Sequence, residues 1–539
     1  MKRKVLVVDS FAGEGLALLK EREDFAVETA AALAEADLIG CIPPFEALIV
    51  RSQTKVTAKV LEAAAGLRVV GRAGTGVDNI DLREATRRGV VVMNAPAGNS
   101  VAAAEHAFGL MLAMARNIPQ AAESLRAGKW ERSAFTGVEL EGKTLGICGL
   151  GRIGREVARR AAAFRMRILA FDPYVSAEGA ADTGAEIVAL DRLLAESDFV
   201  TLHMPLSAET RNLISDSSLA GAKRGLRVVN AARGGLVDET ALLAALETGQ
   251  VSGAALDVFE KEPPGAIPLL AHPRVIATPH LGASTHEAQT RVGIEIATKI
   301  RDFLLSGEIR DAVNVPAIPA GEFARLAPWI ALAERLGAFL AQIAQGAPRE
   351  IEIRYSGDAT RLDTRPLTMA AVQGALASVL DVPVGFVNAL AIARERRVGV
   401  LETKGSGDGQ YKGLVEIRLT ASGGEHRASG TVFDGHEPRI VAVEGITVEA
   451  APEGVYLFIR NRDVPGIVGQ IGTVLASRAI NIASMSLGRE RSTGRAVSLV
   501  GIDSPVEGDV LRLLSERPGI ESVRLVSFGI RSELGDSGR

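Results

Sequence analysis

The stretch 144–172, TLGICGLGRIGREVARRAAAFRMRILAFD, constrains the fold more than any other part of the chain. An apolar strand leads into Gly149-x-Gly151-x-x-Gly154, apolar residues then recur at helical spacing, and a second apolar strand follows. Residues without a Cβ allow the tight turn and the close approach of a pyrophosphate to the free N–H groups of the helix start. The two flanking strands favour this dinucleotide-binding unit over an ordinary tight turn.

Asp172 ends the second strand of this unit. A carboxylate at that position accepts hydrogen bonds from an adenosine ribose and repels a 2′-phosphate. The sequence therefore predicts NAD rather than NADP as the dinucleotide.

Length and charge narrow the class of protein. A chain of 539 residues with 47% hydrophobic residues is long enough for three to four domains with separate cores. The net charge of −4 and the scattered Lys and Arg residues argue against a nucleic-acid surface.

The N-terminus and the cysteines indicate a cytoplasmic protein. The apolar run after MKRK ends at Asp9, which is too short for a signal peptide, and no run of 18 apolar residues predicts a membrane span. Cys41 and Cys148 cannot form a disulfide framework, and no Cys/His cluster has metal-ligand spacing, so we expect no metal. Because Cys148 lies in the strand before the glycine turn, we expect it to be buried.

Residues 4–96 alternate short β-branched runs with helical stretches, which predicts a parallel sheet. Two motifs follow strands of this sheet, Arg51-Ser52 and Arg72-Ala-Gly74-Thr75-Gly76. Ligands bind outside the carboxyl ends of such strands, and two guanidinium groups beside a glycine-rich turn would hold a carboxylate or phosphate. Solvated arginines in a loop are the alternative.

A second alternating region extends to about residue 305 and predicts a second doubly wound domain. Asn99 and Ser100 precede a long helix and are interpreted as its N-cap, which is the default explanation for them. Trp130, in a polar stretch, is either a local plug or an oligomer contact. The helix after His280 should return the chain to the first domain, so that a cleft forms between the two.

The remaining chain predicts two smaller modules. Residues 320–452 suggest an α+β module, with a spacer and a ligand-responsive domain equally open, and residues 453–530 suggest a ferredoxin-like βαββαβ module. A disordered tail is expected at 531–539. The predicted fold class is therefore α/β, with domains at 1–98 plus 306–319, 99–305, 320–452 and 453–530.

Three residues at strand ends of the second domain form a candidate catalytic set: Arg233, Glu262 and His280. Histidine exchanges a proton near neutral pH, and a neighbouring carboxylate orients the ring and stabilises its imidazolium form. Arginine can hold a substrate carboxylate and polarise a carbonyl oxygen. Each residue alone is more often structural, but the set beside a nucleotide turn favours catalysis.

The motifs GLGRIG with Asp172, NAARGGLVDE, DVFEKEPP and PHLGAST resemble the D-2-hydroxyacid dehydrogenase family. RSQTKVT, GRAGTGVDNID and NAPAGNSVAAAEH resemble its D-3-phosphoglycerate dehydrogenase branch, and the C-terminal modules resemble the intervening and ACT domains of the long form. The resemblance implies NAD-dependent oxidation of 3-phospho-D-glycerate, the first step of serine biosynthesis. It also implies a homotetramer with L-serine as a feedback effector.

The resemblance carries specific roles to residues of this sequence. It implies a substrate-binding arginine, a histidine partner and an acid/base for Arg233, Glu262 and His280, respectively, and a subunit contact for the loop of Trp130. Substrate contacts are implied for Arg51, Ser52, Arg72, Gly74 and Asn99. Cofactor contacts are implied for Thr75, Gly149, Gly151, Arg152, Ile153, Gly154, Asp172, Met204, Ala231, Ala232, Arg233, Asp257, His280, Gly282 and Ala283. Effector contacts are implied for Asn461, Asp463 and Asn481, usually across a dimer interface.

Two alternatives stay open from the sequence. Another dehydrogenase of the same family would act on glycerate, a phosphonate or 2-hydroxyglutarate, although Arg51 and Arg72 argue against it. An NAD-sensing corepressor on this fold would need neither the Arg/Glu/His set nor an amino-acid-sensing tail.

Overall fold

The computed structural model of the chain describes residues 2–316, 322–406, 410–504, 506 and 508–528. These residues form two parallel sheets, one mixed sheet and one antiparallel sheet, in that order along the chain. The predicted fold class, two doubly wound domains followed by an α+β module and a ferredoxin-like module, is confirmed. The predicted tail at 531–539 lies outside the described residues.

The first domain alternates strands with helices. Its elements are β1 (Arg3–Val7), α1 (Gly13–Lys20), β2 (Phe25–Thr29), α2 (Glu35–Cys41), β3 (Ala47–Val50), α3 (Ala58–Ala63), β4 (Val69–Arg72), α4 (Leu82–Arg87) and β5 (Val91–Asn94). All strand pairs are parallel, in the order β2-β1-β3-β4-β5. Strand β3 is buried along its whole length, as expected for a parallel sheet covered on both faces.

The second domain contains the glycine turn and a larger parallel sheet. Its elements are α5 (Ser100–Ala115), α6 (Ile118–Arg126), β6 (Thr144–Cys148), α7 (Arg152–Ala163), β7 (Arg167–Phe171), α8 (Ala177–Ala180), β8 (Glu186–Ile187), α9 (Leu190–Glu196), β9 (Phe199–Leu202), α10 (Asp216–Ala220), β10 (Leu226–Asn230), α11 (Glu239–Thr248), β11 (Val251–Leu256), α12 (Pro268–Ala271) and β12 (Val275–Ala277). The strand order is β12-β11-β10-β9-β6-β7-β8. The order reverses beside β6, where ligands of such sheets bind.

Helix α13 (His286–Ser306) returns the chain to the first domain. It packs on α1 and β4, and Ile296 and Ile300 lie against Gly71. Its buried residues belong to the same hydrophobic cluster as strands β1 and β4. The helix therefore packs with the first domain, although the predicted boundary at residue 305 assigns it to the second.

The third domain has a six-stranded mixed sheet behind two long helices. Its elements are α14 (Phe323–Ile343), β13 (Pro348–Gly357), α15 (Thr364–Ala377), α16 (Ala389–Glu395), β14 (Gly399–Gly405), β15 (Gly413–Ala421), β16 (Gly424–Phe433), β17 (Glu437–Val443) and β18 (Ile446–Ala450). The sequence predicts helices at 323–345 and 369–380 and strands at 413–422, 427–433 and 439–450. All are present, the last as β17 and β18, and the sheet also contains β13 and β14, which the sequence analysis does not predict.

The fourth domain has the predicted βαββαβ order. Its elements are β19 (Val455–Arg462), α17 (Ile467–Ala476), β20 (Ile482–Glu490), β21 (Arg495–Ile502), α18 (Gly508–Ser515) and β22 (Ile520–Ser527). The antiparallel sheet has the order β20-β21-β19-β22. One sheet face packs on its own helices through Leu457 and Ile459, and the other packs on α14 through Phe458 and Phe528.

The hydrophobic cores divide the chain differently from the four sheets. One continuous cluster runs from β1 and α13 of the first domain through α14 and α15 to Phe458 and Phe528 of the fourth. The second domain has two clusters of its own. The first, third and fourth domains therefore share a core from which the second domain is separate.

Helix α14 is the one helix among the described residues that is long and apolar enough to cross a membrane. In the structure 67% of its most apolar window is buried inside the protein. Its Trp329 and Phe339 pack within the shared core. The length and apolar composition of α14 are therefore explained by its position in the protein core.

The two cysteines provide a chemical test of the first two domains. Cys41 is exposed, whereas Cys148 is fully buried in β6 and burial raises the pKa of its thiol to about 12. Because the thiolate is the reactive species, we expect one thiol per chain to react with a disulfide reagent at pH 8, and the second only on unfolding. The Cys41→Ser variant should show no fast-reacting thiol; rapid reaction of both thiols in the native protein would contradict the burial of β6.

Candidate active site

The three glycines of the turn after β6 have different structural roles. Gly149 has φ of 96°, and a Cβ on it would lie 2.7 Å from the carbonyl oxygen of His203. A Cβ on Gly154 would collide with the carbonyl oxygen of Gly149, so α7 can approach the strand only because that residue is glycine. Gly151, at the start of α7, faces open space. The turn thus leaves free helix N–H groups accessible to a pyrophosphate.

Asp172 follows β7 and is bound to the same turn. Its Oδ2 accepts a hydrogen bond of 2.8 Å from the N–H of Leu150, and its Oδ1 accepts one of 2.9 Å from the N–H of Tyr174. The side chain is only partly buried. A carboxylate is therefore fixed beside the glycine turn, where the dinucleotide ribose is expected.

The other predicted cofactor residues lie along one edge of the second sheet. They follow β6, β9, β10 and β12, which with β11 are five neighbouring strands of the seven in that sheet. These residues are Arg152 and Ile153 after β6, Met204 after β9, Ala231 and Ala232 after β10, and Gly282 and Ala283 after β12. Because all strands of the sheet are parallel, the edge is continuous and these residues fit one elongated dinucleotide.

Glu262 and His280 are in direct contact. They follow the adjacent strands β11 and β12, and His280 Nδ1 lies 2.8 Å from Glu262 Oε2. Glu262 Oε1 also accepts a hydrogen bond of 3.2 Å from the N–H of Phe259. Burial raises the pKa of the Glu262 carboxyl, but the hydrogen bond and charge of His280 outweigh it, so that the pKa lies below its ordinary value. The carboxylate is therefore ionised at neutral pH and fixes Nδ1 as the donor, which leaves Nε2 as a proton acceptor.

The buried carboxylate of Asp257 shapes the loop that carries His280. Its Oδ1 accepts hydrogen bonds from Thr278 Oγ1 at 2.6 Å and from the N–H of Leu281 at 2.8 Å, and its Oδ2 accepts one from the N–H of Gly282 at 2.8 Å. The residue is 0% exposed and holds the loop; its predicted cofactor contact stays a prediction.

His106 on α5 completes this arrangement, and the sequence analysis does not select it. Its Nε2 lies 3.1 Å from Asp257 Oδ1 and 3.2 Å from Thr278 Oγ1. Burial raises the pKa of the Asp257 carboxyl, but hydrogen bonds from His106, Thr278 and the N–H of Leu281 lower it below its ordinary value. A histidine in a long helix has no sequence signal for such a contact, since its partner follows a strand far along the chain.

His280 has φ of 55°, in the left-handed region that costs non-glycine residues free energy. Its N–H donates a hydrogen bond of 2.9 Å to the carbonyl oxygen of Asp257. Asp257 therefore binds the backbone N–H of His280 through its carbonyl oxygen, and the N–H groups of Leu281 and Gly282 through its carboxylate.

Arginines from both domains meet at the gap between the two sheets. A Cβ on Gly74 would collide with the guanidinium of Arg72, and a Cβ on Gly76 would collide with that of Arg233. The two glycines of the first-domain motif thus make room for two guanidinium groups. The sequence analysis predicts that this glycine-rich turn helps to hold an anion. In the structure, the turn also leaves the space that the guanidinium groups of Arg72 and Arg233 occupy.

The charge at this gap favours an anion. Burial, followed by the charge of Arg233, lowers the pKa of Arg72 to about 10, and the charge of Arg51 contributes in the same direction. The Nε of Arg72 is buried and has no hydrogen-bond partner. An unpaired buried donor among like charges has a free-energy cost that a carboxylate or phosphate would remove.

Arg51 and Ser52 follow β3 at the same edge. The Arg51 guanidinium donates a hydrogen bond of 3.1 Å to the carbonyl oxygen of Ser10, and its backbone N–H donates one of 2.8 Å to Asp9 Oδ2. Ser52 is exposed. One of the five guanidinium donors is thus committed, which leaves Arg51 able to bind an anion.

Asn99 occupies the N-cap position of α5 but its side chain does not cap the helix. Its Oδ1 instead accepts a hydrogen bond of 2.6 Å from Thr75 Oγ1, and the Ser100 hydroxyl lies 3.4 Å from the carbonyl oxygen of Pro96. The predicted N-cap position of Asn99 is confirmed, but its side chain forms no cap, because the crossing between the domains brings Thr75 within reach of Asn99. The contact joins a predicted substrate residue to a predicted cofactor residue.

The predicted effector residues lie at opposite ends of the fourth sheet. Asn461 and Asp463 are at the end of β19. Asn481 immediately precedes β20, and the first residue of β20, Ile482, is paired through β21 with Val455 at the start of β19. Six residues of strand separate the two ends by about 20 Å. One chain therefore cannot bring Asn461 and Asn481 to the same small ligand.

Asn461 nevertheless has an unsatisfied polar atom. The residue is 2% exposed, its Nδ2 donates a hydrogen bond to the carbonyl oxygen of Arg462, and its Oδ1 has no partner. Asp463 has its Oδ2 3.8 Å from Arg489, and Asn481 donates a hydrogen bond of 2.7 Å to Asp503.

Three family models match the chain. The NAD-binding domain of D-isomer specific 2-hydroxyacid dehydrogenases matches residues 108–282, the D-3-phosphoglycerate dehydrogenase intervening domain matches 325–444, and the ACT domain matches 455–519. The second domain is therefore an NAD-binding domain, and the glycine turn with Asp172 fits NAD.

Curated relatives match almost the whole chain. D-3-phosphoglycerate dehydrogenase of a Synechocystis species is 44% identical over 97% of this chain and 95% of its own length. The chain belongs to the D-3-phosphoglycerate dehydrogenase family. The Archaeoglobus fulgidus and Bacillus subtilis members are 42% and 40% identical, over 96% and 97% of this chain and 98% and 99% of their own lengths.

Solved structures of other 2-hydroxyacid dehydrogenases resemble the first part of this member of the family. A glyoxylate reductase from Paecilomyes thermophila has a TM-score of 0.54 and 32% identity, covering 58% of this chain and 98% of its own. D-lactate dehydrogenase from Aquifex aeolicus, complexed with NAD and lactic acid, has a TM-score of 0.51 and 27% identity, covering 56% and 95%. The chain is thus an NAD-dependent dehydrogenase with two additional domains.

The geometry of Asp172 yields a test of cofactor selectivity. Asp172→Asn keeps an acceptor for the Leu150 N–H but loses the charge, whereas Asp172→Ala loses both. We expect both variants to bring the dissociation constants of NADPH and NADH closer by about tenfold, and the alanine variant alone to weaken NADH through the loosened turn. Fluorescence titration measures both constants; an unchanged ratio in both variants would refute the assignment.

Proposed function

We propose that the protein catalyses the NAD-dependent oxidation of 3-phospho-D-glycerate to 3-phosphohydroxypyruvate, the first step of serine biosynthesis. The observation that carries the proposal is the His280–Glu262 pair at 2.8 Å beside a gap into which Arg72 and Arg233 extend from opposite domains. A substrate with a carboxylate, a hydroxyl and a phosphate fits a base between two sets of cations. The names of the full-length relatives support the same substrate.

His280 is the general base. With Nδ1–H donated to Glu262, Nε2 accepts the proton of the C2 hydroxyl, and the carboxylate stabilises the imidazolium that forms. When bound, NAD supplies the acceptor for the hydride that leaves C2. Arg233 binds the substrate carboxylate and the C2 oxygen, on which negative charge would otherwise accumulate.

The phosphate binds the first domain. Arg51 and Arg72 hold it, with Ser52, Gly74 and Asn99 around them, and the unpaired Nε of Arg72 supports this assignment. Since the carboxylate and the phosphate bind different domains, the substrate itself favours closure of the gap.

The cofactor binds along the carboxyl edge of the second sheet. The pyrophosphate lies on the turn of Gly149, Gly151 and Gly154, and the ribose on Asp172. The remaining contacts are Thr75, Arg152, Ile153, Met204, Ala231, Ala232, Gly282 and Ala283, with Arg233 and His280 at the nicotinamide. Because α13 packs with the first domain, we place the return to that domain near residue 285, earlier than the sequence alone suggests.

A spectrophotometric assay tests the function and its base. The protein should form NADH from NAD with 3-phospho-D-glycerate, and His280→Ala should lower kcat by about 10²–10⁴-fold while NADH binding is retained. His436→Ala, an exposed histidine of the third domain, is the matched control and should keep full activity. Turnover of other 2-hydroxy acids but not of this one, or unchanged turnover of His280→Ala, would contradict the assignment.

We further propose that L-serine is the effector and binds between two copies of the fourth domain. The unpaired Oδ1 of Asn461 supports an amino-acid ammonium there, with Asp463 beside it and Asn481 from the second copy. Because these residues are about 20 Å apart in one chain, the site requires an oligomer. Binding inhibits by favouring one arrangement of the subunits.

We propose a cytoplasmic homotetramer. Trp130 is 78% exposed, so the local-plug interpretation is wrong, and Ile118 and Leu125 of α6 are also more than half exposed. Large apolar side chains exposed to this extent support a subunit contact. A second contact through the fourth domain then gives four copies.

Light scattering and thermal denaturation test the effector site together. We expect a mass about four times the 56.6 kDa of one chain, and a rise of the melting temperature with L-serine but not with D-serine. Asn461→Ala should weaken serine binding at least tenfold and keep dehydrogenase activity, since the residue lies in a different domain from His280. A monomer that binds L-serine with wild-type affinity would rule out the shared site.

A further inference from the structure

Asp78 is the one acidic residue of the described chain that forms an ion pair with Arg233, and no role is predicted for it above. It lies in the loop after β4 of the first domain, and its Oδ2 accepts a hydrogen bond of 2.9 Å from Arg233 Nε. Arg233 follows β10 of the second domain. The pair therefore spans the gap between the two domains beside the candidate active site.

The contact leaves part of the guanidinium free. Arg233 has five N–H donors; Asp78 accepts from Nε, and the carbonyl oxygen of Ala232 accepts from one terminal nitrogen at 2.6 Å. Three N–H groups on the two terminal nitrogens remain. These terminal groups can bind a carboxylate with two parallel hydrogen bonds, so Asp78 does not occupy the edge that a substrate needs.

Gly76 fixes the same guanidinium from the first domain. A Cβ on Gly76 would collide with a terminal nitrogen of Arg233 and would lie 2.7 Å from Asp78 Oδ2. Asp78 and Gly76 thus act as one surface on which the arginine rests. Because both residues belong to the first domain, Arg233 of the second domain contacts this surface only where the two domains meet.

The charge balance explains why an acid is needed here. Arg233 lies close enough to Arg72 to influence its ionisation, and Arg51 adds a third positive charge. Without Asp78, repulsion would turn the flexible Arg233 side chain away from Arg72 and from the substrate. The Asp78 side chain is 66% exposed, so the ion pair contributes orientation more than stability.

We propose that Asp78 is a positioning residue: it holds Arg233 Nε from the opposite domain, so that the terminal N–H groups face the substrate carboxylate only when the domains are closed. The inference rests on the proposed role of Arg233. It assigns the coupling between closure and carboxylate recognition to one interdomain contact.

Steady-state kinetics of Asp78→Asn test this. We expect KM for 3-phospho-D-glycerate to rise about tenfold and kcat to fall, while the dissociation constant of NADH stays within about twofold. Asp78→Glu should recover part of the loss. In Asp78→Asn/Arg233→Lys the two losses should combine to less than their product, because both remove the same contact.

The control and the opposing outcomes separate this inference from the proposed function. Asp24→Asn changes an exposed acid of the same domain, paired with Arg22 at 2.7 Å, and should leave all constants unchanged. A lower KM in Asp78→Asn would mean that Asp78 competes with the substrate for Arg233, and unchanged constants would mean that it does nothing; either result overturns the inference. A wild-type enzyme that is inactive on 3-phospho-D-glycerate would overturn the proposed function instead. The same variants would then be assayed with whichever 2-hydroxy acid the enzyme oxidises. They would still test the inference, because every 2-hydroxy acid has a carboxylate that Arg233 would hold.

Discussion

The buried carboxylate of Asp257 is the interaction on which the candidate active site depends. It accepts hydrogen bonds from Thr278, Leu281 and Gly282, and its backbone carbonyl accepts one from His280. A buried carboxylate is tolerated only when its oxygens are satisfied, so the loop must follow the path that supplies these donors. That path holds His280 in the left-handed region and brings Nδ1 to Glu262. The geometry of the His280–Glu262 pair is thus determined by a residue that is itself 0% exposed.

The sheet order turns separate motifs into one site. The glycine turn follows β6, and the candidate catalytic residues follow β10, β11 and β12, which are neighbours in the sheet although α11 and α12 separate them in sequence. In a parallel sheet all these strand ends lie on one edge. In the proposed complex, a dinucleotide along that edge would reach from Asp172 past the glycine turn towards His280, and the first domain would contribute the arginines proposed to bind the anion.

Much of this could be predicted from the sequence, because the information is local. Strand ends, the glycine turn and the βαββαβ order each depend on a short pattern, and the positions of Gly149, Asp172, Glu262 and His280 follow from such patterns. The contacts that were missed or misread, namely His106 with Asp257, Asp78 with Arg233, and Asn99 with Thr75, join distant parts of the chain. Their partners depend on how two domains meet, which no local spacing encodes. Strands β13 and β14 were missed for a related reason: their assignment depends on the pairing of the mixed sheet.

The continuous core of the first, third and fourth domains has a mechanical consequence. Packed interiors deform little, so we expect these three domains to move together as one rigid body and the NAD-binding domain to move as a second body. The chain crosses between the two bodies only twice, between β5 and α5 and between β12 and α13. A small rotation of the fourth domain would therefore move the arginines of the first domain with it, and would change their distance from the imidazole without any change inside the NAD-binding domain.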